Sequence, residues 1–210
     1  MASPRFPEAP FSDIDVFFAE YMDRLHRSTL AVDRTALSRA AALIRDVSAR
    51  SGTLYVCGNG GSAAIANHMT CDVLKGLRSD TTLTPRIVSL STQVELITAI
   101  ANDIDYAEVF RYQLSSLAKP GDALVAISSS GNSENIVRAL SWAAESDLPS
   151  IAMTGFDGGR AARIADVSLH VPCHNYGIVE DAHHTLMHVR LAQFLRQSHM
   201  PAVLVSERAF

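Results

Sequence analysis

Five short apolar runs, at 53–57, 86–90, 123–128, 149–154 and 166–171, punctuate this chain, and a helical stretch follows each of them. Runs of four to six residues rich in Val, Ile and Leu read as strands buried on both faces. Strands separated by helices cannot pair as hairpins; they pair in parallel through right-handed crossovers. The pattern therefore predicts an α/β protein with a five-stranded parallel sheet covered on both faces. Two further helices, over 11–28 and 33–51, precede the first strand, with Ile14, Phe17, Phe18, Tyr21 and Leu25 at helical spacing in the first. Helices are also predicted at 62–76, 92–101, 104–118 and 179–197. Residues 1–10 are proline-rich and read as a flexible leader, 11–198 as a single domain, and 199–210 as a tail that Pro201 prevents from being one helix.

The chain has 210 residues, of which 48% are apolar and 19% charged, enough to bury a substantial core. Its net charge is −4 and no Lys/Arg block occurs, which argues against nucleic acid as a partner. No apolar run approaches the ~18 residues of a membrane span, and the N-terminal residues lack the apolar stretch of a secretory signal. The three cysteines, Cys57, Cys71 and Cys173, form no CxxC pair, so neither a disulfide framework nor a cysteine zinc site is expected. A cytoplasmic protein is the expectation.

In a parallel sheet, ligands bind at the carboxyl ends of the strands. Two polar loops fall there. Gly58-Asn59-Gly60-Gly61-Ser62 follows the first strand and opens a helix. Gly60 and Gly61 let the backbone approach a ligand, and the helix start offers free N–H groups to an anion. The spacing is neither a dinucleotide fingerprint nor a P-loop. Ser128-Ser129-Ser130-Gly131-Asn132-Ser133 repeats the logic after the third strand, with four hydroxyls. Such a set suits a phosphomonoester that must later be released. Alone, each loop also reads as an ordinary strand-to-helix turn with a capping Ser or Asn.

A second constellation lies on two helices. His68 and Asp72 are four apart, and Glu180, His184 and His188 are spaced by four, so each set shares a helix face. Six of the eight histidines (His170, His174, His183, His184, His188 and His199) fall in the last segment. Two His/carboxylate pairs on separate helices offer four N/O ligands to zinc. An isolated pair is equally a helix-surface contact. His183 is read as facing away from the site.

The combination of GNGGSA, SSSGNSENI and TGFDGG, with Asn102-Asp103 between them, resembles the SIS (sugar isomerase) domain family. More narrowly it is similar to the phosphoheptose isomerases, over roughly residues 12–197. The resemblance implies a three-layer αβα sandwich, homotetramer assembly and a sugar phosphate held by the two serine loops. It matches Asn59, Ser62, Ser128, Ser130, Ser133 and Asp103 to substrate-binding positions. It matches His68, Asp72, Glu180 and His188 to a His, a Glu, a Gln and a His in those enzymes. Asp72 is thus one methylene shorter than its counterpart, and Glu180 adds a negative charge that favours a dication. Gly177 stands where those enzymes carry an acidic residue, which bears on substrate identity.

The activity so implied is aldose–ketose isomerisation of a phosphorylated sugar, sedoheptulose 7-phosphate first among candidates. Asp72 is expected as the base and His188 as the partner acid, with one Zn2+ held by His68, Asp72, Glu180 and His188. Glu180 also counts among the substrate contacts, and His184 is expected beside Glu180 as its supporting partner. Two alternatives stand beside this: an isomerase of another sugar phosphate, and a non-catalytic relative that binds a replication-initiator protein. The acid at 72 with both matching histidines favours the enzyme.

Overall fold

The computed structural model describes residues 5–208, apart from the side chains of Arg190 and Leu191. Its centre is a five-stranded sheet in the order β2-β1-β3-β4-β5, every neighbouring pair parallel. The strands are β1 (Thr53–Gly58), β2 (Arg86–Ser89), β3 (Ala123–Ser128), β4 (Ser150–Thr154) and β5 (Val167–His170). All five predicted runs are strands. The central β3 is buried along its whole length, which is why it reads as unbroken apolar sequence rather than alternation.

Side chains alternate across the sheet into two cores. On β3, Val125 and Ile127 join one core, with residues of α2 (Arg34–Ala49), α3 (Gly61–Cys71) and α8 (Tyr176–Leu186). Leu124 and Ala126 join the other, with α5 (Val109–Leu117) and α6 (Glu134–Glu145). The remaining helices are α1 (Ile14–Leu30), α4 (Val94–Asp103), α7 (Ala161–Ile164), α9 (Phe194–His199) and α10 (Ala202–Val205). The α1 helix is capped by Asp13, whose carboxylate accepts from the Asp15 and Val16 amides, and it packs on α8.

The chain leaves β1 for β2 on one side and then returns across β1 to β3 on the other. The strand order reverses between β1 and β3, so the crevice above that pair is where a ligand fits. Both predicted polar loops border it.

Several boundaries differ from expectation. Before α1, Phe6 is only 6% exposed, its ring lies 5.2 Å from Phe17, and its carbonyl accepts from Asn175 Nδ2. Burying an aromatic residue in this way is worth about 1.5–3 kcal/mol. Residues 1–4 of the expected leader and 209–210 of the expected tail lie outside the described residues. The expected helix over 104–118 begins with a 3-10 turn, Tyr106–Glu108, before α5. The helix expected from 62 to 76 changes to π geometry at Asp72–Leu77. The last helix starts at Tyr176 rather than 179, because Asn175 caps it by accepting from the Ile178 amide. It too passes through a π segment, Met187–Gln193, before α9. Among the described residues no helix is long and apolar enough to cross a membrane.

Candidate active site

At the β1/β3 crevice lies a pocket of about 120 Å³ bounded by Asn59, Ser62, Ile127, Ser128, Ser129, Ser130, Ser133, Tyr176 and Glu180. That is well below the ~300–1,000 Å³ of a typical small-molecule site, and suits one small polar group. The first loop turns through Gly60 at φ 53° and ψ −123°, a conformation that side-chain-bearing residues avoid. Gly131 holds the second loop at φ 64°; a Cβ there would stand 2.0 Å from the Gly158 carbonyl oxygen. The glycine-rich 155–159 loop is thereby pressed against the serine loop. Arg160 adds to the clasp, its amide donating to Asn132 Oδ1 and its guanidinium to the Asn132 carbonyl.

Ser129 carries the clearest sign of a ligand. It is 5% exposed, lines the pocket, and its hydroxyl has no hydrogen-bond partner. A buried polar atom left unpaired costs about 1–3 kcal/mol, which a bound anion would recover. Among the described residues the lining contains no Lys or Arg. Hydroxyls and helix N-termini are what the protein offers an anion here.

Asn59 is held from two sides. Its Oδ1 accepts from Asn135 Nδ2 at 3.0 Å and from the Tyr106 hydroxyl at 2.9 Å, while its Nδ2 donates to Asn135 Oδ1 at 2.9 Å. The amide pair ties the first loop to the start of α6, and so to the second loop. Neither Asn135 nor Tyr106 was singled out in the sequence. Asn135 does belong to the SSSGNSENI motif; Tyr106 carried no signal.

Further along, α3 and the π segments that continue α3 and α8 bring His68, Asp72 and His188 together. Their ligating atoms lie within 4.8 Å of one another, the one such group among the described residues. The Asp72 carboxylate stands between the rings, with Oδ1 3.4 Å from His68 Nε2 and Oδ2 3.3 Å from His188 Nε2. Two imidazoles and a carboxylate are a donor set that could hold a metal ion. Asp72 opens one π segment and His188 lies in the other. Such widened turns occur preferentially at functional sites.

Glu180, expected as the fourth ligand, stands outside this group. Its carboxylate lines the pocket and lies against Gly61, where a Cβ would come within 2.2 Å of its Oε2. The reason is geometric. Eight residues separate it from His188, about 12 Å along a helix, and helical side chains lean toward the N-terminus. Burial, with Asp181 beside it, raises the Glu180 pKa above the ordinary carboxylate range. The ring of His184, the residue expected beside Glu180, is 5.5 Å from that of His68 and 6.0 Å from that of His188. Burial and those two rings lower its pKa. His183 turns from the cluster into the core, fully buried, with both ring nitrogens unpaired. Burial pushes its pKa down to about 4.

Asp103 is at the exposed end of α4, accepting from Asn102 Nδ2, and does not line the pocket. Gly177 faces α1: any Cβ there would meet the Tyr21 hydroxyl at 2.9 Å, and that hydroxyl donates to Asp181 at 2.6 Å. Space for Tyr21 is a reason this position carries no side chain. Tyr176 lines the pocket and was not anticipated, since a tyrosine at a helix start carries no signal of its own.

The fold is a parallel αβα domain with a polar pocket at its strand reversal, and residues 17–155 match the SIS domain family. Within it, the chain belongs to the phosphoheptose isomerase family. It is 37% identical over 169 residues to the phosphoheptose isomerase of Alteromonas mediterranea, covering 79% of this chain and 84% of that one. To that of Desulfovibrio desulfuricans it is 35% identical over 180 residues, 85% of each. The structure of the phosphoheptose isomerase from Neisseria gonorrhoeae superimposes with a TM-score of 0.76 at 34% identity, covering 84% of this chain and 94% of that one.

Proposed function

We propose that this chain is an aldose–ketose isomerase of phosphorylated sugars, acting on sedoheptulose 7-phosphate in the cytoplasm as a homotetramer. The observation that supports this is that a serine-lined pocket and a His–Asp–His cluster are both reached by α3, α8 and the π segments that continue them. On α3, Ser62 in the pocket and His68 in the cluster are six residues apart, about 9 Å of helix at ~1.5 Å each. An extended chain covers about 1.2 Å per bond, so about seven or eight bonds bridge that rise. That is the count from phosphorus to the carbonyl end of a seven-carbon sugar phosphate.

The phosphate is held by Ser62, Ser128, Ser129, Ser130 and Ser133, with Asn59 bracing the loop and the amides of Gly60 and Gly61 at the helix start. Anchoring there positions the distant carbons without touching them chemically, so binding energy serves orientation. Asp72 takes the proton from the carbon next to the carbonyl. His188, across the carboxylate, gives a proton to the carbonyl oxygen. From the enediol so formed, the protonated Asp72 delivers its proton to the former carbonyl carbon while the hydroxyl on the adjacent carbon gives its proton back to His188, which forms the aldehyde and restores both groups. The residues that would hold a zinc ion are His68, Asp72 and His188; when bound, it supplies positive charge for the developing oxyanion. Glu180, at the pocket wall, contacts the substrate near its phosphate end.

The test is to incubate the protein with sedoheptulose 7-phosphate and a panel of shorter sugar phosphates and to follow aldose formation. Asp72→Asn is expected to lower turnover by about 10²–10⁴-fold, the usual worth of a general base, with an unchanged circular dichroism spectrum. Retained activity would remove Asp72 as the base. Chelation is expected to depress turnover, and indifference to a chelator counts against the metal.

A further inference from the structure

We propose that Tyr176 is a specificity-determining residue that packs its ring against the carbon esterified to the bound phosphate. The proposal rests on the phosphate reading of the pocket. At about 120 Å³ the pocket holds little more than the phosphoryl group, so the esterified carbon leaves through its rim. Tyr176, 63% exposed, is the one exposed residue of the lining among the described residues, and its one aromatic. The other lining groups are hydroxyls, an amide, a carboxylate and the buried Ile127, so an apolar surface at the rim comes from this ring alone.

An exposed tyrosine ordinarily samples several rotamers; this one is braced. Its ring meets Phe156 edge-on, with centroids 4.9 Å apart and planes at 75°. Phe156 stacks on His174 at 4.9 Å and 11°, and His174 Nε2 lies 3.0 Å from Asp157 Oδ2. Phe156 holds this place at φ 49°, in the left-handed region that an aromatic residue seldom adopts. Strain of that kind persists where the surroundings over-determine it, and it gathers at ligand clamps. From the other side, Asn175 fixes the backbone just before Tyr176 by capping α8 and by donating to the Phe6 carbonyl. Two loops and the N-terminal segment thus hold one ring at the rim. A ring fixed beforehand loses little entropy when a sugar carbon packs on it.

The proposal is tested by titrating inorganic phosphate and sedoheptulose 7-phosphate separately into wild-type protein and into three variants, by calorimetry. Tyr176→Ala is expected to weaken the sugar phosphate about tenfold and to leave inorganic phosphate within about twofold, the loss of one aromatic contact. Tyr176→Phe keeps the ring and is expected to bind both ligands within about threefold of wild type. His174→Ala releases the brace and is expected to weaken the sugar phosphate about threefold, again sparing inorganic phosphate. An equal loss of both ligands in Tyr176→Ala, or no loss of either, overturns the proposal while the phosphate pocket stands. Wild-type protein that fails to bind inorganic phosphate overturns the pocket reading, and the proposal with it.

Discussion

Asn59 shows how one side chain serves a site without being its chemistry. Its oxygen is taken by Asn135 and Tyr106, and its NH2 gives one hydrogen to Asn135, so it works mainly as a strut between the two loops. Replacing Asn135 with Ala strips Asn59 of a reciprocal pair in a half-buried setting. One such hydrogen bond is worth about 1 kcal/mol, so inorganic phosphate is expected to bind about fivefold more weakly to Asn135→Ala, by calorimetry. Unchanged affinity would show that the loops hold their shape without the pair. The motif made Asn59 legible. Its partnership was not, because the two asparagines are 76 positions apart in the chain and only the strand order makes them neighbours. Glu180 shows the reverse case. Its spacing from His188 placed both on one helix face, yet side-chain reach along the axis was a fact of three dimensions.

At the level of elements, α3 and α8 carry the site, and both pass into π geometry at the cluster. Counting in fours gave the shared face of His68 and Asp72 correctly, since the α-helical turn persists that far. It did not show where the helices widen, because a π turn has no strong local signal. The same helix α8 buries His183 without a partner for either ring nitrogen. Burial lowers its pKa from about 6.5 to about 4, so the folded state favours the neutral ring. As pH falls below about 6.5 the unfolded chain takes up a proton that the folded protein refuses. Stability from this residue is thus fully present above pH ~6.5 and is lost on the way down to pH ~4, on the order of 3 kcal/mol in all. Urea denaturation at pH 7.0, 5.5 and 4.5 is expected to show a smaller acid loss in His183→Leu than in wild type. Parallel losses in the two proteins would mean that the ring is not kept neutral.

For the whole molecule, α1 leaves an apolar stripe unspent. Tyr21 and Leu25 turn to the core, yet Ile14, Phe18 and Met22, at spacing four, are 74%, 63% and 45% exposed. Large contiguous apolar surface on a folded chain marks an interface. The wild-type protein is expected to sediment as a tetramer, and the double variant Ile14→Glu, Phe18→Glu as a smaller species. A wild-type monomer at micromolar concentration would overturn the tetramer reading. By itself the sequence determined the parallel α/β architecture, the two glycine- and serine-rich loops and the four-residue spacing of the histidines and acids. These are local facts, set by hydrophobic period, glycine content and helical repeat. Only the tertiary structure decided that the loops meet at the β1/β3 reversal, that Asp72 sits between two imidazoles, that Glu180 belongs to the pocket, and that Tyr176 stands braced at its rim. The physical reason is that these depend on contacts between residues far apart in the chain, which come together only when the sheet order and helix packing bury the core.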